Sequence, residues 1–290
     1  MARKQVDMTG KHVMVTGCTA GLGRAGAIDI AKMGASISLV CRSRDKGEAL
    51  VAEIEKATGR KECDLYVGDM GSLVDIRRIA AEYNKTERPL DVLFNNAGVV
   101  MTERETTQDG FEMTFGVNHL GYYLLTVLLI DSLKEAPAGR VVCTASDAYK
   151  FGKGALNFDD LQMERGYSTF GAYGASKLAN ILFTRELGRR LEGTRVTANA
   201  FHPGMVGSDF AKNNGWFAHI AMALIKPIAR SPLKGAETGI YLCTSAEVEG
   251  KTGGYYYNCA PNKTTSLARD DEAALRLWEV SEELTGAGLG

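Results

Sequence analysis

The chain has 290 residues, of which 45% are hydrophobic and 24% are charged, and its formal net charge is -1. These values are typical of a soluble globular protein, and they exclude disordered, collagen-like and strongly basic nucleic-acid-binding chains. No linker rich in proline, glycine or serine divides the sequence. We therefore predict a single domain over residues 1–290 and no nucleic-acid partner.

Signals for export and for membrane insertion are missing from the pattern. The apolar runs fall short of the ~18 residues that a membrane-spanning helix needs. The segment Met1–Asp7 lacks the apolar stretch of a signal peptide. The six cysteines form no CxxC pair, so we expect reduced thiols and no metal site. These features predict a cytoplasmic protein without a membrane span.

Short β-branched runs alternate with helical patterns along the chain. The predicted strands are His12–Thr16, Ser36–Cys41, Leu65–Val67, Val92–Phe94, Arg140–Thr144 and Arg195–Phe201. The predicted helices run from the first strand to about Met33, then over Arg44–Ala57, Leu73–Tyr83, Gly116–Leu133 and Tyr173–Leu191. This alternation predicts an α/β fold of the Rossmann type, with a doubly wound, mostly parallel sheet and helices on both faces.

Late in the chain, the segment Ser208–Ser231 breaks this alternation with an apolar helical pattern. We predict that it forms a helical cap over a substrate pocket; an insertion that packs on the core is the alternative. Tyr255-Tyr256-Tyr257 is typical of a late strand with alternating faces.

A glycine-rich turn follows the first strand directly. Gly17, Gly21 and Gly23 stand between that strand and the next helix. Glycines let a backbone approach a pyrophosphate closely, and a helix N-terminus there offers free N–H groups and the positive end of a dipole. The spacing G-x3-G-x-G differs from the general dinucleotide fingerprint G-x-G-x-x-G. We predict a phosphate-binding turn, with an ordinary turn as the alternative.

The residue after the second strand indicates which dinucleotide is bound. An acid at this position would accept from the ribose 2′-hydroxyl of NAD. Here Arg42 occupies it, and the first acid, Asp45, comes three positions later. A guanidinium makes charge-assisted bonds to phosphate, so NADP(H) is favoured over NAD(H). The alternative is a solvated arginine that opens the next helix.

A phenol and an amine are spaced for acid–base chemistry in Tyr173-Gly174-Ala175-Ser176-Lys177. On a helix, positions i and i+4 share a face. A phenol has a pKa near 10, and we expect the Lys177 ammonium and a positive nicotinamide ring to lower it toward neutrality. Ser146 lies just past a predicted strand, where its hydroxyl can donate to a substrate carbonyl. Chance spacing and a serine turn are the alternatives.

These motifs together resemble the classical short-chain dehydrogenases/reductases. The matching segments, in order, are Thr16–Gly23, Asn95–Gly98, Asn118, Ser146, Tyr173 with Lys177, and Pro203-Gly204. The resemblance extends from about Gly10 to Thr285. Longer stretches, such as Val117–Gly121 and Ser176–Asn180, are similar to the retinol dehydrogenase branch, which also has an insertion like Lys150–Phe170 before the tyrosine.

The resemblance implies four catalytic residues, namely Asn118, Ser146, Tyr173 and Lys177. Asn118 would hold a water that continues a proton relay from Lys177. Tyr173 would act as the acid in carbonyl reduction and as the base in alcohol oxidation. His119 is expected to pack or to cap, and His202 to donate to nearby backbone.

The resemblance also implies a set of cofactor contacts. The glycines and the Leu22 backbone would line the pyrophosphate turn, Arg42 would hold the 2′-phosphate, and Asp69 would accept from the adenine amine. The full set is Gly17, Gly21, Leu22, Gly23, Arg42, Asp69, Asn96, Ala97, Gly98, Tyr173, Lys177, Pro203, Gly204 and Ser208.

The sequence thus predicts an NADP(H)-dependent oxidoreductase that interconverts a carbonyl and an alcohol on a lipophilic small molecule of the retinoid, steroid or aldehyde type. The alternatives are a catalytically silent NADP(H)-binding scaffold and an NAD(H)-dependent alcohol dehydrogenase. By analogy with the family, we expect a homodimer or homotetramer formed through the helices Gly116–Leu133 and Tyr173–Leu191.

Overall fold

The computed structural model describes residues 6–150, 156–206 and 230–289. Its strands within these ranges are β1 (His12–Thr16), β2 (Ser36–Cys41), β3 (Cys63–Val67), β4 (Val92–Asn95), β5 (Arg140–Thr144), β6 (Thr197–Phe201), β7 (Gly254–Tyr257) and β8 (Ala260–Pro261). They form one sheet in the order β3-β2-β1-β4-β5-β6-β7-β8. Neighbouring strands pair in parallel from β3 to β7, and β8 alone runs antiparallel to its neighbour in this sheet. The predicted doubly wound, mostly parallel sheet is confirmed.

Helices connect these strands. They are α1 (Gly21–Lys32), α2 (Arg44–Thr58), α3 (Leu73–Asn84), α4 (Met113–Phe115), α5 (Gly121–Leu128), α6 (Ile130–Glu135), α7 (Thr169–Arg190), α8 (Pro232–Thr244) and α9 (Asp271–Thr285). A π-helical turn, Gly116–Leu120, joins α4 to α5. Within the described residues, none of the helices is long and apolar enough to cross a bilayer.

Two predicted helices differ from the structure by more than one residue. The single helix predicted over Gly116–Leu133 is divided into the π-helical turn, α5 and α6. The helix predicted from Tyr173 begins four residues earlier, at Thr169, because the Ser168 hydroxyl accepts from the Gly171 N–H and caps it. Apolar periodicity reports neither a change of helix type nor a capping side chain.

Buried apolar residues cover both faces of the sheet. On one face, α3, α5, α7 and α9 contribute to a cluster that includes Tyr255. On the other face, α1, α2 and α8 contribute to a second cluster that includes Tyr256. The predicted alternation of faces along β7 is therefore confirmed, with both faces buried because helices cover each of them.

The C-terminal helix α9 covers the outer side of α7. The Trp278 ring stacks on Phe183 with centroids 5.9 Å apart, and it meets Tyr123 of α5 edge-on at 4.9 Å. Most residues of α5 and α7 are buried within the chain itself. The side of α7 that faces α9 is thus covered within the chain, and self-association through the two helices stays a prediction.

The predicted cap over Ser208–Ser231 lies outside the described residues except for its last two positions. Ser231 is the N-cap of α8, where its hydroxyl accepts from the Lys234 N–H. The cap itself stays a prediction.

Replacing Trp278 with alanine should lower the free energy of unfolding by about 3–5 kcal/mol, because the indole is 2% exposed and its loss leaves a cavity. Leu275→Ala on the same helix is the control, since Leu275 is 42% exposed and should cost within about 0.5 kcal/mol. Urea unfolding followed by circular dichroism measures both, and equal losses would contradict the packing of α9 described above.

Candidate active site

The turn between β1 and α1 can be built only from glycine at two of its positions. Gly17 has φ of +62°, and a Cβ on it would lie 2.6 Å from the Ala97 Cα. A Cβ on Gly23 would lie 2.5 Å from both the Asn96 Nδ2 atom and the Gly17 carbonyl oxygen. At this edge of the sheet the turn therefore exposes backbone without side chains. The absence of side chains leaves room for a ligand at the turn.

Within the described ranges, α1 begins without a side-chain cap. Its N-cap, Ala20, makes no side-chain cap, and no acid lies in the first turn. The next two helices differ, because Ser43 caps α2 and Ser72 caps α3. Uncapped N–H groups at the positive end of a helix dipole bind anions. Together with the glycine turn, this end of α1 fits the pyrophosphate of a dinucleotide.

Asn96 ties the glycine turn to the neighbouring strand ends. Its Nδ2 atom donates to the carbonyls of Thr16 at 3.1 Å and Gly17 at 3.2 Å. The backbone N–H groups of Asn96 and Ala97 donate to the Thr16 hydroxyl at 2.9 and 3.0 Å. On the other side, the Thr144 hydroxyl approaches the Asn96 Oδ1 atom at 3.4 Å. Asn96 thus connects the turn to the end of β5, while Gly98 follows at the same edge.

Two charged residues lie at the ends of β2 and β3, as expected. Arg42 is 62% exposed at its side chain, and its Nη1 atom is 3.9 Å from the Asp69 Oδ2 atom, a long ion pair between exposed groups. The other carboxylate oxygen of Asp69 accepts from the Gly71 N–H at 2.9 Å. The guanidinium is therefore free to turn toward an anion placed beside β2.

Tyr173 and Lys177 share one face of α7, and that face points to the end of β5. The Lys177 Nζ atom lies 5.4 Å from the centroid of the Tyr173 ring and donates to the Thr144 carbonyl at 3.1 Å. Lys177 is buried, at 2% exposure. Ser146, two residues past β5, hydrogen-bonds with the Tyr173 phenol in the sense that favours the phenolate. The predicted pair and the predicted hydroxyl donor are thus brought together.

Burial shifts both pKa values of this pair in the direction that favours the neutral phenol and the neutral amine. Burial raises the pKa of Tyr173 to about 12, and the hydrogen bond from Ser146 opposes this. Burial also lowers the pKa of Lys177 to about 7. Our expectation that a neighbouring ammonium favours the phenolate is therefore incomplete, because the site that holds the amine also penalises its charge. Lowering the pKa of Tyr173 to neutrality requires further positive charge at the site.

Asn118 lies in the π-helical turn and is fully buried. Its Oδ1 atom accepts from the Val99 N–H at 2.7 Å, and its Nδ2 atom donates to the Val99 carbonyl at 2.9 Å and to the Ser176 hydroxyl at 3.1 Å. The amide thus fixes the chain after β4 against α7, next to Lys177. Its expected role in holding a relay water stays a prediction.

Pro203 and Gly204 follow β6 at the same edge. Gly204 has φ of +81°, and a Cβ on it would lie 2.8 Å from the Arg230 Nε atom. The Arg230 guanidinium stacks over the Tyr257 ring at 5.0 Å and donates to the Tyr257 hydroxyl at 2.7 Å. Sequence reasoning missed Arg230, which follows an apolar segment with no motif around it. Ser208, the expected carboxamide contact, lies outside the described residues.

The prediction for His202 is wrong in its direction. The imidazole Nδ1 atom accepts from the Asp147 backbone N–H at 3.3 Å instead of donating to backbone. His202 also stacks on Tyr257, with centroids 5.1 Å apart. Among the described residues, no group of three His, Cys, Asp or Glu side chains could hold a metal ion.

The contacts above converge at the carboxyl ends of β1, β4, β5 and β6, where a parallel sheet binds its ligands. A model of the short chain dehydrogenase family matches residues 11–216. The chain belongs to the short-chain dehydrogenase family. It is an oxidoreductase of the retinol dehydrogenase branch, and the fold of this family binds a nicotinamide dinucleotide.

The similar proteins extend along nearly the whole chain. Retinol dehydrogenase 14 of Homo sapiens is 41% identical over 96% of this chain and 87% of its own length. Retinol dehydrogenase 12 of Mus musculus is 41% identical over 97% of this chain and 88% of its own. A solved structure of an uncharacterized protein from Mycobacterium Paratuberculosis is 30% identical, with a TM-score of 0.80 over 100% of this chain and 98% of that one. A short chain dehydrogenase from Escherichia coli CFT073, complexed with NADPH, shares the fold with a TM-score of 0.68 over 87% of this chain and 98% of that one, at 23% identity.

The low pKa of Lys177 predicts a rise in stability with pH. Between about 7, its folded pKa, and 10.5, its ordinary value, the unfolded chain holds a proton that the folded chain has released. Stability increases with pH wherever the unfolded state binds more protons. From pH 7 to about 9.5, the free energy of unfolding should therefore rise more steeply in the wild type than in Lys177→Met.

Urea titrations across this range measure the difference. The limit of about pH 9.5 keeps clear of Tyr173, whose raised pKa acts in the opposite direction above pH 10. Lys56→Met, at an exposed lysine of α2, should leave the slope unchanged. Parallel curves for wild type and Lys177→Met would show that the amine is not held as described.

Proposed function

We propose that this protein is an NADP(H)-dependent oxidoreductase that interconverts a carbonyl and an alcohol on a lipophilic small molecule. Retinoids are the first candidate substrates, and steroids and aldehydes are the others. The observation that carries the proposal is the buried Lys177 amine beside the Tyr173 phenol, with the Ser146 hydroxyl bonded to that phenol. Asn96 joins this group to the glycine turn through contacts of 3.2 and 3.4 Å.

Each side chain has a distinct task in the proposal. A bound nicotinamide would supply or accept the hydride. Ser146 donates to the substrate oxygen and holds it against Tyr173. Tyr173 gives its proton to that oxygen in reduction and takes it back in oxidation. When the Lys177 amine is protonated, its charge stabilises the phenolate of Tyr173. Because the pKa of Lys177 is about 7, part of the amine is protonated at neutral pH.

The preference for the phosphorylated cofactor rests on Arg42. Its guanidinium is exposed at the end of β2, and the Asp69 carboxylate with which it pairs is 3.9 Å away. A 2′-phosphate placed there would gain a charge-assisted bond that exceeds this long surface pair. An NAD-specific site would carry an acid where Arg42 stands.

The lipophilic substrate class rests on two observations. The similar proteins are named as retinol dehydrogenases. Two exposed apolar side chains also lie on the segments that carry the site: Phe170, three residues before Tyr173 on α7, is 76% exposed, and Met205, just after Gly204, is 55% exposed. Apolar surface beside a catalytic phenol suits a hydrophobic substrate.

Replacing Tyr173 with phenylalanine should lower kcat by about 10²–10⁴-fold, since the variant loses the transferable proton and keeps the ring. NADPH affinity, followed by its fluorescence, should change less than about threefold, because the turn and Arg42 remain. Tyr241→Phe is the control, since its phenol donates to Glu247, which has no part in the proposed chemistry, and its loss should leave kcat unchanged.

The substrates are a panel of retinal, steroid ketones and long-chain aldehydes, with NADPH oxidation as the readout. No turnover of any of them, together with full activity of Tyr173→Phe in the cell, would favour a silent NADP(H)-binding scaffold and end this proposal.

Arg42→Ala should weaken NADPH binding by about tenfold or more and change NADH binding less than about twofold. Arg44→Ala is the matched control, since Arg44 is exposed two residues later and pairs with Glu48 at 3.7 Å. Fluorescence titration with both nucleotides measures the two constants. If Arg42→Ala weakened the binding of NADPH and NADH equally, the preference for NADP(H) would be refuted and the protein would be interpreted as an NAD(H)-dependent alcohol dehydrogenase.

A further inference from the structure

Asp147, the residue after Ser146, is bonded at three atoms to other parts of the chain. Its Oδ1 atom accepts from the Tyr255 hydroxyl of β7 at 2.8 Å, and its Oδ2 atom accepts from the Lys150 Nζ atom at 2.8 Å. Its backbone N–H donates to the His202 Nδ1 atom at 3.3 Å. The turn after β5, the segment after β6 and the strand β7 thus meet at one residue, next to the hydroxyl donor of the reaction centre.

The turn after β5 is a short 3₁₀ helix, Asp147–Lys150, which begins directly after Ser146. The Ser146 hydroxyl accepts from the Ala148 N–H at 3.1 Å, so the oxygen of the serine is fixed to this helix. Tyr149 of the same helix meets the Tyr255 ring edge-on, with centroids 6.0 Å apart. The position of the Ser146 hydroxyl therefore depends on how β7 holds the short helix.

The bond between Tyr255 and Asp147 joins a neutral donor to an ionised acceptor. Burial opposes the charge of the Asp147 carboxylate, but the hydrogen bonds from Lys150 and Tyr255 outweigh it and lower the pKa. Tyr255 is 5% exposed, and burial raises the pKa of its phenol, so the phenol keeps its proton and donates. Such charge-assisted bonds are roughly twice as strong as neutral ones. The ion pair with Lys150 is partly exposed and contributes little. The Tyr255 phenol is therefore the contact that holds Asp147.

His202 connects the same residue to the segment that we expect beside the nicotinamide. The backbone N–H of His202 donates to the Tyr256 carbonyl at 2.9 Å, and Pro203-Gly204 follows it directly. The serine end of the site and the Pro203-Gly204 end are therefore tied together through Asp147 and β7. Hydride transfer requires a fixed distance between the substrate carbon and the nicotinamide, and a misplacement of about 1 Å can lower the rate 10²-fold.

We propose that Asp147 and Tyr255 are positioning residues for Ser146. The Tyr255 phenol holds the Asp147 carboxylate, and Asp147 holds the hydroxyl of its neighbour in register with Pro203-Gly204. The inference rests on the proposed function, because it concerns the hydroxyl that meets the substrate there. It also gives the first tyrosine of β7 a task that Tyr256 does not share, since Tyr256 packs on the opposite face of the sheet.

Four variants test the contacts of Asp147. Tyr255→Phe loses the phenol and keeps the ring, so it should lower kcat about tenfold with little change in KM or in NADPH affinity. Asp147→Leu should do the same, since leucine offers no acceptor. Asp147→Asn keeps an oxygen that can accept from Tyr255, so its kcat should stay within about threefold of the wild type. Lys150→Met should stay within about twofold, because it breaks only the partly exposed ion pair.

Two matched controls separate positioning from folding. Tyr256→Phe removes a phenol from the next position of β7, which is also buried, and should leave kcat unchanged. Tyr83→Phe removes a buried phenol of α3 that donates to the Pro89 carbonyl at 3.3 Å. It should lower stability about as much as Tyr255→Phe without a loss of kcat. Equal losses of kcat in Tyr83→Phe and Tyr255→Phe would show that activity follows stability alone, and the inference would be wrong.

A double-mutant cycle tests whether Asp147 acts through Ser146. Ser146→Ala removes the hydroxyl that Asp147 is proposed to position. Adding Asp147→Leu to Ser146→Ala should therefore lower kcat less than about twofold further. Independent effects would multiply, so a further tenfold loss in the double variant would overturn the inference.

A readout without substrate keeps this inference apart from the proposed function. In protein labelled with ¹³C at tyrosine Cζ, the signal that Tyr173→Phe removes reports the hydrogen bonding of the Tyr173 phenol. Ser146→Ala should shift this signal, because the phenol loses its bond to the Ser146 hydroxyl. Asp147→Leu should shift it in the same direction, and Tyr256→Phe should leave it in place. A Tyr173 signal that Asp147→Leu does not move overturns the inference. Absence of turnover by the wild type refutes the proposed function, and the Tyr173 signal then decides this inference alone.

Discussion

An amine buried against one backbone carbonyl is the constraint on which this structure depends. Lys177 is 2% exposed, and its Nζ atom donates to the carbonyl of Thr144 at the end of β5. Burial makes the charged form costly, so the amine changes its charge near neutral pH instead of near 10.5. The same burial keeps the Tyr173 phenol protonated. Near neutral pH the phenol is therefore protonated and the amine is only partly charged, so a ligand that brings positive charge would favour the phenolate.

The fold explains why such a ligand would arrive at this place. The glycine turn after β1 and the end of β5 are separated by β4 alone, and Asn96 bonds to both. An anion at the uncapped end of α1 would lie at the same sheet edge as the phenol and the amine. In the proposed function, binding and chemistry would thus share strand ends, and a shift of Asn96 would disturb both of them.

Much of this was predictable because the signals are local. The β-branched runs of β1, β2 and β5 match the observed strands residue for residue, since buried parallel strands are short and apolar. The glycines of the turn and the i, i+4 pair of Tyr173 and Lys177 can also be recognised from their spacing in the sequence. In each case the residues that interact are near neighbours in sequence.

The remainder depends on contacts between distant segments. The π-helical turn at Asn118 and the covering of α7 by α9 follow from tertiary packing, which periodicity does not record. Asp147 and Tyr255 are 108 positions apart, and nothing in either segment indicates the other. The alternation along β7 predicts that Tyr255 and Tyr256 lie on opposite faces, but it does not predict which group the Tyr255 phenol meets.

The most direct test of this account is the ultraviolet difference spectrum of the protein on addition of NADP⁺ at about pH 8.5, below the ordinary pKa of a phenol. The account predicts a saturable phenolate band equivalent to one tyrosine, which is absent from Tyr173→Phe, because the cofactor's charge should lower a pKa that the protein alone holds near 12. A band that persists in Tyr173→Phe, or tight binding of NADP⁺ with no band up to pH 10, would contradict it.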